Sequence, residues 1–295
     1  MIAIMGATGK TGGRVAEVLL ARSEKVRVIG RDREKLQALV ERGAEAAVGD
    51  VTDRAFLTQA FAGAEAAYTL LPPDMHSDDL RAFQDSVGEA TAQALAANKV
   101  GRVVFLSTVG AGVSGVGGTG VAEGLQAQEQ RLRALFIDVL ILRPGYFFEN
   151  FFGSLPLIKN HGINGGPFRG DIPAPMIASR DIGDAAAQGL IARDWHGVVV
   201  RELLGPRFYT LAEATSIIGR AIGNPNLAYA QFSSGTIMAS LVPTVMSEDV
   251  ARLSIELAQA YNNGVIRPGE RTAINTTPTT LEEFAEVLAG AYGQM

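Results

Sequence analysis

The opening of the chain constrains its fold more than any other feature. Ile2-Ala3-Ile4-Met5 is an apolar run of strand length that ends in glycine, and Thr11 to Leu20 then carries apolar residues at helical spacing. Between them lies the turn Gly6-Ala7-Thr8-Gly9-Lys10-Thr11-Gly12. Gly6 permits a tight exit from the strand, Gly9 lets backbone N–H groups approach a pyrophosphate, and Gly12 lets the helix pack closely on the sheet. Gly9-Lys10-Thr11 also matches the end of a nucleoside-triphosphate loop, but that motif needs a glycine where this chain has Ile4 inside the strand. The segment therefore reads as a dinucleotide turn, with a merely structural turn as the alternative.

The same alternation continues. Strands are expected at Lys25–Ile29, Glu45–Val48, Ala66–Leu71, Arg102–Ser107 and Asp138–Leu142, and helices at Arg33–Val40, Arg54–Phe61, Asp79–Ala97 and Ala122–Leu135. This rhythm implies parallel crossover units and a doubly wound parallel-sheet α/β fold of Rossmann type. A glycine-rich stretch runs from Gly110 to Gly120 and includes Gly115 and Gly117. Beyond Pro144 the pattern changes to an aromatic loop, a Gly/Pro-rich segment at Gly162–Pro175, a helix at Asp181–Ala192 and a strand near Gly197–Leu203. Further helices are expected near Leu211–Ile222, Glu248–Tyr261 and Thr280–Ala289. The expected division is a nucleotide-binding domain over 1–150 and a smaller α/β lobe over 151–295, partly interleaved with the sheet and able to close over a site at the strand ends.

Composition narrows the partners. With 47% apolar and 19% charged residues the chain can bury a core, which excludes a disordered protein. A net charge of −5 without a basic stripe argues against nucleic acid. The absence of cysteine removes disulfides, thiolate nucleophiles and Cys-based metal sites, and is compatible with a reducing cytosol. His76, His161 and His196 share no metal-ligand spacing, so no metal site is expected. No window approaches the ~18 apolar residues of a membrane span, and MIAIMGATGK carries no basic leader. The expectation is a cytoplasmic protein with a small-molecule substrate and no nucleic-acid or membrane partner. Helices Asp79–Ala97 and Ala122–Leu135 could support a homodimer, although their alanine-rich faces suit the sheet equally well.

At the tip of the second strand, where an NAD enzyme commonly places an acid for the ribose hydroxyl, the chain has Gly30-Arg31-Asp32-Arg33-Glu34-Lys35. Arg31 can pair bidentately with a 2′-phosphate and stack on adenine, with Lys35 one helical turn further on, so NADP(H) is favoured over NAD. The alternative is that both are solvated charges, and Asp32 is the residue that speaks for NAD. Asp50, beside Val51, either reaches the adenine amino group or caps the following helix. Thr69, Leu70, Leu71 and Pro72 end the fourth strand beside the ribose and pyrophosphate, and Ser107 and Thr108 end the fifth beneath the nicotinamide.

The combination GATGKTGG, VIGRDREKL, VGDVTD, VVFLSTVGA, LILRPGYFFENF and TPTTLEEFAEVL resembles the NmrA-like branch of atypical short-chain dehydrogenase/reductases over about Ile2 to Leu288. The resemblance implies a Rossmann domain with a small C-terminal lobe, NADP(H) binding, and either reduction of small conjugated substrates or redox sensing. The superfamily's Tyr-x-x-x-Lys pair would fall at Val121 and Leu125, and neither residue is present. No lysine lies between Lys99 and Lys159, and no tyrosine between Tyr68 and Tyr146. Alcohol/ketone chemistry and sugar-nucleotide epimerisation need a positioned proton carrier, whereas hydride transfer to a quinone, dye, enone or imine leaves charge delocalised on the acceptor.

Pro144-Gly145-Tyr146-Phe147-Phe148-Glu149-Asn150-Phe151-Phe152 leaves the sheet at the cleft. Gly145 belongs with the cofactor residues, Tyr146, Phe147 and Asn150 with a flat aromatic substrate, and Tyr146 is the nearest proton donor; Phe151 and Phe152 suit core packing. The alternative is a packing plug between lobes. Glu123 and Glu129 lie on different helix faces, and Glu129 is expected to make a solvent or capping contact. His76 reads as a surface-loop residue, and Asp181 as a charge against a helix dipole. The functional expectation is an NADPH-dependent oxidoreductase delivering hydride to a small conjugated or aromatic substrate without the Tyr/Lys pair. The alternative is a non-catalytic NADP(H)-binding sensor acting through a protein partner.

Overall fold

The strand runs that are apolar on nearly every residue form the centre of the molecule, because a parallel strand covered by helices on both sides has no polar face to offer. A computed structural model describes residues 1–113 and 118–295; Gly115 and Gly117 of the glycine-rich stretch lie outside the described residues. In order the elements are β1 (Ile2–Met5), α1 (Lys10–Ala21), β2 (Val26–Gly30), α2 (Arg33–Glu41), β3 (Glu45–Val48), α3 (Arg54–Ala60), β4 (Ala66–Leu70), α4 (Leu80–Ala97), β5 (Arg102–Leu106), α5 (Ala122–Arg133) and β6 (Asp138–Pro144). There follow β7 (Tyr146–Phe147), α6 (Leu155–His161), β8 (Ile163–Gly166), β9 (Ala174–Ile177), α7 (Ser179–Ala192), β10 (Val198–Leu203), β11 (Phe208–Tyr209) and α8 (Leu211–Ala221). The chain closes with β12 (Ala228–Gln231), α9 (Ser234–Leu241), α10 (Glu248–Asn262) and α11 (Leu281–Gln294).

The main sheet has the order β10-β6-β5-β4-β1-β2-β3 and is parallel throughout. Strand direction of travel reverses between β1 and β4, and ligands in such sheets bind outside the carboxyl ends at that switch. One face buries Ile2, Ile4, Tyr68, Val104 and Leu140 against apolar residues of α1 and α7. The other buries Ala3, Met5, Ala67, Phe105 and Ile141 against α3, α4 and α5. The period-two alternation of these residues along each strand is what loads both faces.

The sheet draws its seventh strand, β10, and the helix α7 that covers it from beyond residue 150. A Cβ on Gly183 of α7 would lie 2.6 Å from the Arg14 Cβ, so the glycine lets α7 approach α1, and Arg14 Nε donates to Asp184 at 2.7 Å across the seam. A separate core of Phe148, Phe151, Leu155, Met176, Tyr209, Ile218, Leu281 and Phe284 builds the second lobe. There, β11-β9-β7 and β12-β8 form two small sheets that periodicity did not disclose apart from the aromatic run.

Side-chain caps set several helix starts. Asp53, not Asp50, is the N-cap of α3, accepting from the Ala55 and Phe56 N–H groups, which removes the capping alternative for Asp50. Thr280 and Glu283 form a reciprocal capping box on α11. Among the described residues no helix is long and apolar enough to cross a membrane.

Candidate functional site: a dinucleotide cradle opening on an aromatic cavity

The turn after β1 is built for close approach. Gly6 has φ +65°, and a Cβ there would sit 2.8 Å from Leu70 Cδ2 at the tip of β4. Gly9 donates to the Gly6 carbonyl at 2.9 Å, and a Cβ on Gly12 would run into that same carbonyl. Gly9 is the N-cap of α1 and contributes no side-chain cap, so the first N–H groups of α1 are left for an anion. Ala7 is buried, Thr8 and Lys10 are exposed, and the Lys10 ammonium stands 5.3 Å over the Phe152 ring. Thr11 is buried and its hydroxyl accepts from Tyr68 at 2.9 Å, so its side chain braces β4. These features fit a dinucleotide pyrophosphate.

At the tip of β2, Asp32 turns its carboxylate onto α2, accepting from the Glu34 and Lys35 N–H groups at 2.9 and 3.3 Å. Both bonds are accepted by Oδ1, which holds that side of the carboxylate at the helix start. Lys35 Nζ lies 3.7 Å from Asp32, and Arg31 is exposed. The Thr52 N–H and hydroxyl, with the more distant Arg31 charge, hold the Asp50 carboxyl below its usual range. Val51 is buried and packs in the core under α3. Thr69 is buried on β4 with no hydrogen-bond partner for its hydroxyl among the described residues, while Leu70, Leu71 and Pro72 are half-buried at the strand end.

Beyond the carboxyl ends of β4, β5 and β6, where Pro73, Thr108 and Gly145 border it, lies a cavity of about 430 Å3, within the range of small-molecule sites. Thr108, Gly145, Tyr146, Phe147 and Asn150 all line it, so the end of β5 and the exit loop after β6 share one chamber. Gly145 is required there: a Cβ would collide with the Pro175 carbonyl oxygen and lie 2.8 Å from its Cβ. Tyr146 and Phe147 pair with Met176 and Ile177 as β7 beside β9, which fixes their alternating directions. Tyr146 packs on Phe151 (ring centroids 5.5 Å apart) and Phe168 (6.1 Å), and burial pushes its phenol up to about 12 against a smaller opposing effect of Asn150. Phe148 and Phe151 are core residues, and Glu149 accepts from the Ser179 N–H and hydroxyl (3.0 and 2.5 Å), stapling the exit loop to the start of α7.

Phe168, Tyr261 and Asn262, which also line the chamber, carried no sequence signal. The Phe168 and Tyr261 rings meet edge to face at 6.0 Å. Asn262 accepts from the Arg169 N–H at 2.8 Å and donates to the Pro167 carbonyl at 3.0 Å, pinning that loop to the end of α10. Val121, at the position counted for the superfamily tyrosine, also lines the cavity, so the wall is apolar where an acid would stand.

One expectation is corrected. Glu129 is 1% exposed and makes no solvent or capping contact; it accepts from Ser107 and Arg143 in the interior, because a carboxylate can be buried only when paired. Ser107 is accordingly turned away from the chamber, and Thr108 alone of that pair lines it. Asp181 stands in the first turn of α7 as expected, and it is also buried and accepts from the Thr279 N–H and hydroxyl at 3.0 and 2.6 Å. His76 is exposed on its loop.

Comparison with known proteins places this geometry. A relative in Escherichia coli K12, quinone oxidoreductase 2, is 30% identical over 245 residues, spanning 79% of this chain and 80% of the relative. The crystal structure of the Escherichia coli NADPH-dependent quinone oxidoreductase in complex with NADPH superposes with a TM-score of 0.73 at 26% identity, covering 98% of this chain and 99% of that one. The triphenylmethane reductase of Citrobacter sp., complexed with NADP(H), shares the fold with a TM-score of 0.81 at 22% identity, covering 98% and 100%. The family model described as NmrA-like matches residues 1–285, and the chain belongs to the NmrA-like family.

Proposed function

We propose that this protein is an NADPH-dependent reductase of small planar electrophiles, quinones and cationic aryl dyes foremost. The observation that carries the reading is an aromatic cavity lined by Pro73, Thr108 and Gly145, beyond the carboxyl ends of β4, β5 and β6, in the sheet whose β1 runs into an uncapped glycine turn; its wall at Val121 has no acid. The names of its relatives, a quinone oxidoreductase and a dye reductase, support it.

The Gly6–Gly12 turn and the first N–H groups of α1 would hold the pyrophosphate, and the exposed Arg31 the 2′-phosphate. Bound NADPH supplies a hydride. The chain's own contribution is placement: Thr108 and Gly145 border the chamber at the strand tips, and Tyr146, Phe147, Phe168 and Tyr261 confine a flat ligand and exclude water. Tyr146 keeps its phenolic proton far above neutral pH and is the proton donor to an oxyanion in the chamber. An aryl cation that gains a hydride is already neutral and asks nothing of that proton.

Oxidation of NADPH and NADH is followed optically with 2-methyl-1,4-naphthoquinone and a triarylmethane dye. The reading requires turnover with both acceptors and a preference for NADPH that Arg31→Ala reduces about tenfold, the scale of one lost charge-assisted contact. Cofactor binding without turnover on any acceptor would overturn it.

A further inference from the structure

The most deeply placed charged group of the first lobe takes no part in the reaction outlined above. Glu129 on α5 is 1% exposed, and both of its carboxylate oxygens accept hydrogen bonds. Its Oε1 accepts from Ser107 Oγ at 2.6 Å and from Arg143 Nε at 2.9 Å; its Oε2 accepts from Arg143 Nη2 at 2.6 Å, with Arg133 Nη2 a further 3.5 Å away. The cluster thus takes one side chain from a helix and one from the tip of each of two adjacent strands. Ser107 immediately precedes Thr108, and Arg143 precedes Gly145 and Tyr146 across a single proline. The Arg143 guanidinium also lies under the turn after β5, since a Cβ on Gly112 would stand 2.8 Å from its Nη1.

We propose that Glu129 is the positioning residue of the substrate cavity: through Ser107 and Arg143 it sets the separation between the Thr108 wall and the Gly145–Tyr146 wall. The inference rests on the reductase reading for the identity of the ligand, but the geometry is independent of it. Ser107 does not exchange protons with a ligand, because it is 4% exposed and its proton is spent on Glu129. Both carboxylate oxygens are bound, so Glu129 is not a base. What remains is mechanical. A bidentate guanidinium–carboxylate pair fixes orientation as well as distance, and a slot for a flat ring tolerates little change in width. The backbone ladder between β5 and β6 ends with the Ser107 N–H donating to the Leu142 carbonyl at 2.8 Å, and at that same level Glu129 ties the two strand tips together by their side chains.

The test separates ligand from cofactor. 2-Methyl-1,4-naphthoquinone is titrated calorimetrically into the NADP⁺-saturated protein for wild type, Ser107→Ala and Glu129→Gln, with NADP⁺ affinity measured on the same samples. Ser107→Ala removes one hydrogen bond and leaves the ion pair, so it remains informative if Glu129→Gln does not fold. The expected result is quinone binding weakened about tenfold or more by Glu129→Gln and about threefold by Ser107→Ala, with NADP⁺ affinity within about twofold of wild type and KM for the quinone rising in parallel. A wholly structural role would instead lower the melting temperature while leaving quinone affinity unchanged, or depress both affinities together, and either result overturns the inference. Wild-type protein that fails to bind quinone would overturn the cavity reading itself, a result distinct from wild-type binding that the variants merely share.

Discussion

Tyr146 shows how one residue can be needed for one substrate and idle for another. Its phenol is held near pKa 12 by burial among Phe151 and Phe168, so it is protonated across the whole neutral range. Quinone reduction is therefore expected to show no inflection from Tyr146 between about pH 6 and 10, the solution value of tyrosine; a steady-state pH profile checks this. Tyr146→Phe should slow quinone reduction by about 10²-fold, the lower end of general-acid contributions, and leave triarylmethane-dye reduction within about twofold. Equal loss on both acceptors would assign Tyr146 to packing. The glycines of the first turn and the place of Tyr146 on the cavity wall were legible because their signals are local: a turn and an exit loop. Phe168, Tyr261 and Asn262 were not, because they reach the chamber only through the folding of a lobe whose contacts span most of the chain.

Elements that read clearly are those whose pattern repeats within themselves. β1 to β6 are apolar on both faces and are punctuated by glycine or capping aspartates, so their order followed from the residues. β8, β9 and β12 are four residues each, rich in Gly, Ala or Pro, and exist because distant partners pair with them; no local signal distinguishes them from loop. Glu129 was misassigned for a related reason. On a helix otherwise rich in Gln and Arg it looks like surface, and its burial is dictated by Arg143 on another element. Two element-level outcomes follow. Gly12→Ala forces α1 away from the Gly6 carbonyl and should abolish measurable NADPH binding by fluorescence titration, with a lower melting temperature; wild-type affinity would refute the close-approach argument. Asp53→Ala removes the α3 cap and should cost about 1 kcal/mol in urea unfolding without altering cofactor affinity.

At the scale of the whole molecule, the sheet is completed by β10, and a separate core grown from the exit loop walls the aromatic chamber beyond the ends of β4, β5 and β6. Glu149 ties the exit loop to α7, and α7 packs on α1, so the two halves of the site share one mechanical frame. The same burial that shapes the chamber sets an alkaline limit. Tyr68, Tyr146, Tyr209, Tyr229 and Tyr261 all have phenols pushed up by desolvation. The unfolded chain loses these protons near pH 10 while the folded protein still binds them, so their contribution is complete below about pH 10 and is lost as pH rises through the folded values. Urea midpoints should be level from pH 7 to 9 and fall steeply above 10.

The central claim is direct delivery of hydride to a ligand in this chamber without a Tyr/Lys pair, and isotope transfer tests it most directly. Protein incubated with NADPH deuterated at the transferable C4 position and a cationic triarylmethane dye should yield leuco dye carrying one deuterium on its central carbon, seen by mass spectrometry, at a rate unaffected by Tyr146→Phe. Leuco dye free of deuterium, or bound cofactor that never reacts, would contradict it.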